Sequence, residues 1–388
     1  MEPEIDRPRP EAPFAEESAA AIQAHETVTP SLEERIFHWM NWTFNGSQGL
    51  RSGWSALIFV LLLGLFGAAI GFVFVRLHIV DLSQMDHLTA SLAVREKLME
   101  VLALVGAATA MAQIEGRRSL LAFNLTGPRR VPHFLSGLAA GFLALSALVG
   151  AMNWGGWLRF GPVALSGAEI FKYGALWAAA FLLVGCMEEG TFRGYLQFTL
   201  TRGINFWWAA GVIGILCIEL LHRNIGSGAW GVYLMALLGL LPCLMMHIRK
   251  ISRSGFWQAA WVTSTLFGYI HLGNSGENWI GIFAAALIGF VFCVSVRVTG
   301  TAWWAIGCHA SWDWAETFFY GTANSGMVAP GHYLITSTAG NTLWSGGTDG
   351  PEGSLLVIGV ILLLLAALLV IYGRKRTKVE APSLGGVS

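Results

Sequence analysis

The sequence predicts an all-α fold: a polytopic transmembrane bundle of eight to ten helices with a polar cavity inside the membrane. Hydrophobic residues make up 54% of the 388 residues and charged residues only 12%, whereas soluble domains carry about a quarter charged residues. The hydrophobic residues are concentrated in runs such as 54–77 and 355–372, which are long enough to cross about 30 Å of hydrocarbon as helices. Ionisable residues inside such runs predict the cavity.

The predicted spans follow one another along most of the chain. They fall at about 54–76, 97–114, 132–153, 170–200, 206–221, 229–248, 256–271, 280–298, 302–320 and 355–372. Several contain glycine and other small residues, which allow membrane helices to pack closely. Two runs are short, so we expect between eight and ten spans.

Composition divides the chain into five predicted regions. The first is rich in Glu, Pro and Ala and has no apolar run, which indicates a disordered cytoplasmic tail and not a signal peptide. The second opens with a short apolar segment that either lies at the membrane interface or packs on the domain. The regions are the tail (1–34), this segment with the first three spans (35–164), a helical core (165–320) with an inserted pair of helices at about 205–250, an external loop (321–353), and a last span with a basic cytoplasmic tail (354–388).

The distribution of Lys and Arg predicts the orientation of the bundle. Cytoplasmic loops of membrane proteins carry an excess of these residues. The C-terminal tail contains Arg374, Lys375, Arg376 and Lys378, whereas the loop 321–353 contains no Lys or Arg. We therefore expect a multi-pass protein of the bacterial inner membrane with both termini in the cytoplasm.

Charge and cysteine content exclude other classes of protein. The formal net charge is zero, and no basic stripe with interleaved aromatic residues indicates a nucleic-acid partner. The five cysteines lie in apolar runs and form no CxxC pair, so we expect buried, reduced thiols.

Ionisable residues inside spans are costly and are therefore candidates for function. Glu189 and Arg193 are four residues apart, so they share a helix face and can pair. Glu188 is rotated by about 100° from Glu189 and faces a different neighbour. A buried ion pair with a spare acid explains this group equally well. The full set is Glu188, Glu189, Arg193, Glu219, His222, His247, His271, His309, Asp313 and Glu316.

Three stretches together indicate hydrolysis within the membrane. His309 and Asp313 share a helix face, and His271 lies near the end of its span. Taken singly, each is well explained as a structural polar residue. Combined with Glu188, they supply a carboxylate and two imidazoles, which can activate a water molecule directly or through a metal. A further group must stabilise the oxyanion of the intermediate.

These residues resemble the motifs of the CPBP intramembrane proteases, the group that includes the type II CAAX prenyl endopeptidases and bacteriocin-processing or immunity proteins. "EEGTFR" (188–193) is similar to the family's EExxxR, "FGYIH" (267–271) to its FxxxH, and "HASWD" (309–313) to its HxxxN/D. The resemblance covers roughly residues 165–320. Three motifs in the family's order on apolar helices are quite specific.

The resemblance implies an endopeptidase that cleaves a peptide or a membrane-anchored protein within the lipid bilayer. Glu188 matches the water-activating glutamate and His271 its partner, while Glu189 and Arg193 support the site. His309 and Asp313 match the motif that orients the substrate or stabilises the oxyanion. If a metal is used, Glu188, His271 and His309 are the expected ligands of a Zn²⁺ ion.

Two departures from the family pattern stand out: the residue at 313, and about 50 residues between Phe206 and Phe256, where the family usually runs straight from the first motif's helix into the second's. Asp313 occupies a position where prenyl-processing members usually carry Asn. An ionised Asp donates no hydrogen bond, so Asp313 is either protonated or orients His309, which weakens the case for a prenyl substrate. The insert also contains a rival pair, Glu219 and His222, spaced i, i+3 on one face; we prefer His271 because its flanking residues fit the motif.

Two other functions are consistent with the same residues. A catalytically inactive scaffold or immunity protein of this family would keep the motifs as a polar structural cluster. A proton-coupled transporter would use Glu, His and Asp as a relay, and weak internal similarity between 205–222 and 255–271 is compatible with transporter repeats. However, the similarity covers one helix and is not inverted.

Overall fold

The computed structural model describes residues 31–46, 49–80, 89–223, 230–252, 254–274 and 276–373. Contacts divide the chain into an N-terminal unit that ends at Gly49 and a larger unit that begins at Leu50. Residues 1–30 of the predicted tail (1–34) and the basic residues from Arg374 onward lie outside the described residues, whereas Leu32, Glu33 and Glu34 at the end of that tail are helical and not disordered.

In the described part of the N-terminal unit, residues Leu32–Phe44 form a helix, α1. Ser31 and Glu34 form a capping box, in which each side chain accepts a hydrogen bond from the other residue's backbone N–H. The helix buries none of its residues, and its apolar side chains, among them Phe37 and Trp39, are exposed. This is the surface expected of a helix at a membrane interface. Two short strands, β1 (Asn45–Gly46) and β2 (Gly49–Leu50), follow in the chain.

The larger unit is a helical bundle, as the sequence predicts. Seven of its described helices are long and apolar enough to cross a membrane: α2, α3, α4, α5, α7, α9 and α12. Three predicted spans, at 206–221, 256–271 and 302–320, correspond to the shorter helices α6, α8 and α10. The helices are α2 (Ser52–Arg76), α3 (Ala90–Ile114), α4 (Arg130–Trp154), α5 (Ala168–Thr201), α6 (Phe206–His222), α7 (Trp230–Ile248), α8 (Gly255–His271), α9 (Trp279–Thr299), α10 (Trp303–Trp314), α11 (Thr342–Ser345) and α12 (Leu355–Gly373).

Among the residues that the structure describes, three of these helices contain or continue into π-helical turns, and two 3₁₀ turns lie between helices. The π-helical turns are Gly190–Leu196 within α5, Ala315–Phe319 after α10, and Leu369–Gly373 at the end of α12. The 3₁₀ turns are Leu120–Ala122 and Pro351–Gly353. Such π-helical turns shift the direction in which side chains leave the helix and are frequent at functional sites.

A two-stranded antiparallel sheet marks one end of the bundle. Strand β3 (Leu158–Val163) pairs with β4 (Leu334–Thr338), so that Leu158 lies opposite Thr338. The backbone N–H of Ala339 donates to the carbonyl of Trp157 at 2.8 Å, and the ring of Trp157 stacks on that of Trp344. We call this end of the bundle the strand end. The region predicted as the external loop 321–353 therefore contains β4 and α11.

A cluster of ion pairs marks the other end, which we call the arginine end. Glu115, at the end of α3, accepts hydrogen bonds from Arg202 at 2.8 Å and from Arg117 at 3.1 Å. The hydroxyl of Tyr195 donates to the same carboxylate at 3.1 Å. These contacts join the end of α3 to the end of α5.

Close glycine contacts fix α10 between its neighbours. A methyl group on Gly141 of α4 would lie 2.9 Å from the carbonyl carbon of Cys308, and one on Gly137 would lie 3.0 Å from the backbone nitrogen of Cys308. Gly185 of α5 faces the carbonyl of Ile306 in the same way, at 2.9 Å. Small residues allow such backbone approach between membrane helices. The position of α10, and of any side chain it carries, therefore depends on these glycines.

Two carboxyl groups are packed together in the loops at the strand end. Oxygens of Glu277 and Asp349 both lie against the Cα of Gly281, where an added methyl group would contact each of them. Burial, and next the charge of Asp349, raise the pKa of Glu277 to about 9. Burial, and next the charge of Glu352, raise the pKa of Asp349 to about 8. The segments 272–278 and 320–354 contain no Lys or Arg that would neutralise them.

Replacing Gly141 by Leu should destabilise the bundle by about 1–3 kcal/mol, because the added side chain has to displace α10. The measurement is the midpoint of thermal unfolding in detergent. Gly150→Leu is the matched control, since it lies on the same helix with nothing within 4 Å of an added Cβ. Equal effects of the two substitutions would contradict the proposed helix contact.

The stability of the fold should decrease as the pH rises. Glu277 and Asp349 have raised pKa values, so their contribution is complete below the ordinary values of 4.5 and 3.8 and is lost as the pH rises through about 8 to 9. Glu277→Gln should therefore stabilise the protein at pH 8.5 by about 2 kcal/mol and have a smaller effect at pH 5. Unfolding midpoints at both pH values, with the exposed Glu169→Gln as control, test this; a gain from Glu277→Gln that is as large at pH 5 would contradict it.

Candidate active site

A cavity of about 530 Å³ lies in the half of the bundle nearer the strand end. Its walls come from α3, α5, α8, α9, α10 and α12 and from the loops beside them. Four of the predicted site residues line it: Glu188, His271, His309 and Asp313. The structure thus brings residues of all three sequence motifs to one enclosed space.

The floor of the cavity is built around a buried guanidinium group. The side chain of Arg193 has no exposed surface, and its Nη1 donates to Glu189 Oε1 at 3.2 Å. The predicted pair between these two residues is therefore present. The guanidinium carbon lies 4.4 Å from the ring centre of Phe267, 5.4 Å from that of Phe292 and 5.6 Å from that of Phe192. Aromatic faces stabilise a desolvated cation by about 2 kcal/mol.

Other residues make room for this arginine and hold its backbone. Gly289 of α9 faces the guanidinium, and a methyl group there would lie 2.5 Å from Arg193 Nη2. The π-helical turn alters the backbone hydrogen bonding at Arg193, and the side-chain amide of Asn124 donates to the carbonyl of Arg193 at 2.8 Å. Asn124 has a φ of 54°, which asparagine tolerates better than most residues. Sequence reasoning missed both positions, because no local pattern shows what they contact.

His309 connects the motifs. Its Nδ1 lies 2.9 Å from Glu189 Oε1, while its Nε2 lies 3.8 Å from Glu188 Oε2 and 3.5 Å from Asp313 Oδ2. Glu189, ionised beside Arg193, accepts hydrogen bonds only, so we assign a proton to Nδ1. With Nδ1 bonded to Glu189, Nε2 faces the cavity and lies between the carboxyl groups of Glu188 and Asp313. The predicted face shared by His309 and Asp313 is present.

His271 is oriented by its own helix. Its Nδ1 lies 2.7 Å from the carbonyl oxygen of Phe267, one turn earlier. A carbonyl accepts and does not donate, so Nδ1 carries the proton, and Nε2 of the neutral ring holds the lone pair. The aromatic ring of Phe267 lies 4.8 Å from the imidazole. The FxxxH spacing thus allows one phenylalanine to contact Arg193 with its ring and to orient His271 with its carbonyl.

The other ionisable residues named from the sequence lie elsewhere. Glu219 is exposed and bonded to Arg223 at 2.8 Å, and neither it nor His222 lines the cavity. The ring of His247 stacks on Phe206 with centroids 4.7 Å apart. Glu316 is fully buried, and its carboxylate oxygens have no hydrogen-bond partner among the described residues; it does not line the cavity. The rival pair in the insert therefore has no enclosed site.

The cavity residues do not form a metal site in this geometry. Among the residues that the structure describes, no group of three or more His, Cys, Asp or Glu side chains is arranged to hold a metal ion. Glu188, His271 and His309 line the same cavity but do not converge as ligands. Zinc binding by these three residues remains a prediction from the sequence.

Part of the chain matches the model of a known protein family. Residues 243–315 match the model of the family described as type II CAAX prenyl endopeptidase Rce1-like. This segment includes the motifs at 267–271 and 309–313 but not the one at 188–193, from which it is separated by α6 and part of α7. No curated protein and no solved structure matches the chain.

Arg193→Lys should destabilise the protein by about 2–4 kcal/mol. Lysine lacks the planar guanidinium that lies against three aromatic rings and bonds Glu189, and removing a partner from a buried ion pair is costly. Thermal unfolding in detergent is the measurement. Arg117→Lys is the matched control, because Arg117 also bonds a carboxylate and its guanidinium carbon lies 4.5 Å from the ring centre of Phe198. Since Arg117 is partly exposed, we expect Arg117→Lys to lower the free energy of unfolding by less than about 1 kcal/mol. Similar losses for both variants would contradict a special role for the buried site.

Proposed function

We propose that this chain is an intramembrane endopeptidase of the CAAX-protease type, which hydrolyses a peptide bond in a peptide or membrane-anchored protein. The observation that supports it is the meeting of Glu188, His271, His309 and Asp313, from three different helices, in one cavity. A protected polar cavity inside an apolar bundle supplies the water that the lipid lacks. The family match over residues 243–315 supports the same class of reaction.

In the proposed reaction, Glu188 and His271 activate the water molecule. The carboxylate of Glu188 is held beside the cavity, and its Oε2 has no hydrogen-bond partner among the described residues, so it is available to take a proton from water. Nε2 of His271, oriented through the Nδ1 hydrogen bond, accepts a hydrogen bond from the same water and positions it. As the water oxygen bonds to the substrate carbonyl carbon, its proton passes to Glu188.

His309 stabilises the charge that develops on the substrate. With Nδ1 hydrogen-bonded to Glu189, a protonated Nε2 can donate to the oxyanion of the tetrahedral intermediate. The Asp313 carboxylate, 3.5 Å from His309 Nε2, keeps the imidazole oriented from the cavity side. When the intermediate collapses, the C–N bond breaks and Glu188 returns its proton to the leaving nitrogen, which gives an amine and a carboxylic acid.

The mechanism requires no prenyl group on the substrate. Asp313 stands where prenyl-processing members of the resembling family usually carry Asn, and in this chain the carboxylate oxygen lies 3.5 Å from His309 Nε2. We therefore propose a role for Asp313 in orienting His309. No step is assigned to a metal.

Cleavage in proteoliposomes tests the proposal. The purified full chain is mixed with a library of lipid-anchored synthetic peptides, and the products are identified by mass spectrometry. Glu188→Gln and His271→Ala should each reduce cleavage by about 10²–10⁴-fold, the range associated with general acid–base catalysis. Glu219→Gln, which changes an exposed glutamate outside the cavity, should keep wild-type activity.

Two further results would change the assignment. Retained cleavage by both Glu188→Gln and His271→Ala would remove these residues from the reaction. Loss of wild-type cleavage with a chelator, restored by added Zn²⁺, would show that a metal takes part. A wild-type protein that binds membrane partners but cleaves none of the peptides would favour the scaffold function.

A further inference from the structure

Contacts within the bundle identify which connections share an end. At the strand end, the Cα of Gly326 lies against Gly276, and the side-chain amide of Asn278 donates to the carbonyl of Gly353 at 3.3 Å. The connections 272–278 and 320–354 therefore lie together, next to the paired strands. At the arginine end, the backbone N–H of Ala302 donates to Asn124 at 2.8 Å, which places 115–129 beside 300–302.

Two more segments belong to the arginine end. His247, near the end of α7, stacks on Phe206 at the start of α6, which follows directly from Arg202. The hydroxyl groups of Ser136 and Tyr372 are 2.7 Å apart, so α12 ends beside the start of α4. Both α7 and α12 thus end at the arginine end.

Positive charge is distributed unequally between the two ends. The strand-end connections 155–167, 272–278 and 320–354 contain one Lys or Arg, namely Arg159. The two remaining connections, after α2 and α6, add Arg223, and the adjoining helix ends add Arg76, Arg95, Lys97 and Lys172. The described segments at the arginine end carry Arg117, Arg118, Arg129, Arg202, Arg249 and Lys250, and the adjoining helix ends carry Arg51, Arg130 and Arg297. In the sequence, Arg374, Lys375, Arg376 and Lys378 follow directly after α12. By the excess of Lys and Arg on the cytoplasmic side of membrane proteins, the arginine end is cytoplasmic.

The cavity opens at the other end. Its exposed lining residues are Ile270 near the end of α8, Gly273 and Asn274, which follow α8, and Met327 in the connection 320–354. Its innermost lining residues, such as Phe292 and Cys308, are buried. Toward the arginine end, every residue from Gly190 to Gln197 is buried, so the bundle is closed below the site.

We propose that the active-site cavity receives its substrate from the non-cytoplasmic side of the membrane. The substrate is then an extended peptide segment, either free or next to a membrane anchor, that is presented on the outer face. A lipid-modified C-terminus in the cytoplasm would face the closed end of the bundle. This inference rests on the proposed function for the identity of the ligand, whereas the direction of opening follows from the charges and contacts alone.

Cysteine accessibility in intact cells tests the direction. Met327→Cys and Asn274→Cys place a thiol at the mouth, Val184→Cys places one on the cavity wall, and Arg118→Cys places one at the arginine end. The probe is a membrane-impermeant methanethiosulfonate reagent, followed by gel-shift labelling of the remaining thiols. The wild-type chain is the blank for its native cysteines, four of which are buried and one partly buried.

We expect the reagent to block the two mouth cysteines and the cavity-wall cysteine in intact cells, and to block Arg118→Cys only after permeabilisation, with at least a tenfold difference in labelling rate. Blocking of Arg118→Cys alone in intact cells would overturn the proposal. Blocking of the mouth cysteines without the wall cysteine would overturn the assignment of the opening. The assay needs no catalysis, so an inactive protein with the expected labelling would count against the proposed function and not against the direction of opening.

Discussion

The buried ion pair between Arg193 and Glu189 is the interaction on which the candidate site depends. A desolvated guanidinium is tolerated only where its charge is compensated, and here one carboxylate and three phenylalanine rings lie against it. Nε and Nη2 of Arg193 have no hydrogen-bond partner among the described residues. The same carboxylate oxygen lies 2.9 Å from His309 Nδ1. Because Glu189 is fixed by Arg193, the imidazole is fixed as well, and its second nitrogen points into the cavity.

The adjacent glutamates therefore have separate tasks. Glu189 has no exposed surface and holds the structure, whereas Glu188 lines the cavity with 21% of its side chain exposed. A sharp change in environment over one residue follows from helical rotation, which turns neighbouring side chains about 100° apart. Phe267 also has two separate contacts: its ring packs against the guanidinium of Arg193, and its carbonyl oxygen accepts a hydrogen bond from His271 Nδ1.

The bundle also has unequal ends. At the arginine end, ion pairs around Glu115 tie helix ends together, and buried residues fill the space below the site. At the strand end, the mouth of the cavity lies beside the connections 272–278 and 320–354, which contain carboxyl groups and no Lys or Arg. Glu277 and Asp349 are packed there without a basic partner, and their raised pKa values show that the protonated form is favoured. The distribution of Lys and Arg bears on which end faces the cytoplasm, and the position of the cavity bears on which end is open; the proposed route of access combines the two.

The sequence by itself determined the helical membrane bundle, because hydrophobic length is a local property that a window of about 20 residues contains. It also determined the Glu189–Arg193 pair, since residues four apart share a helix face. Only the tertiary structure decided that His309 contacts Glu189, that Asn124 bonds the carbonyl of Arg193, and that Glu219 lies outside the cavity. These contacts join residues distant in sequence, and a π-helical turn shifts the register that α-helical periodicity assumes. Spacing within a helix is a matter of backbone geometry, whereas contact between helices depends on how their surfaces pack, which no single stretch of sequence specifies.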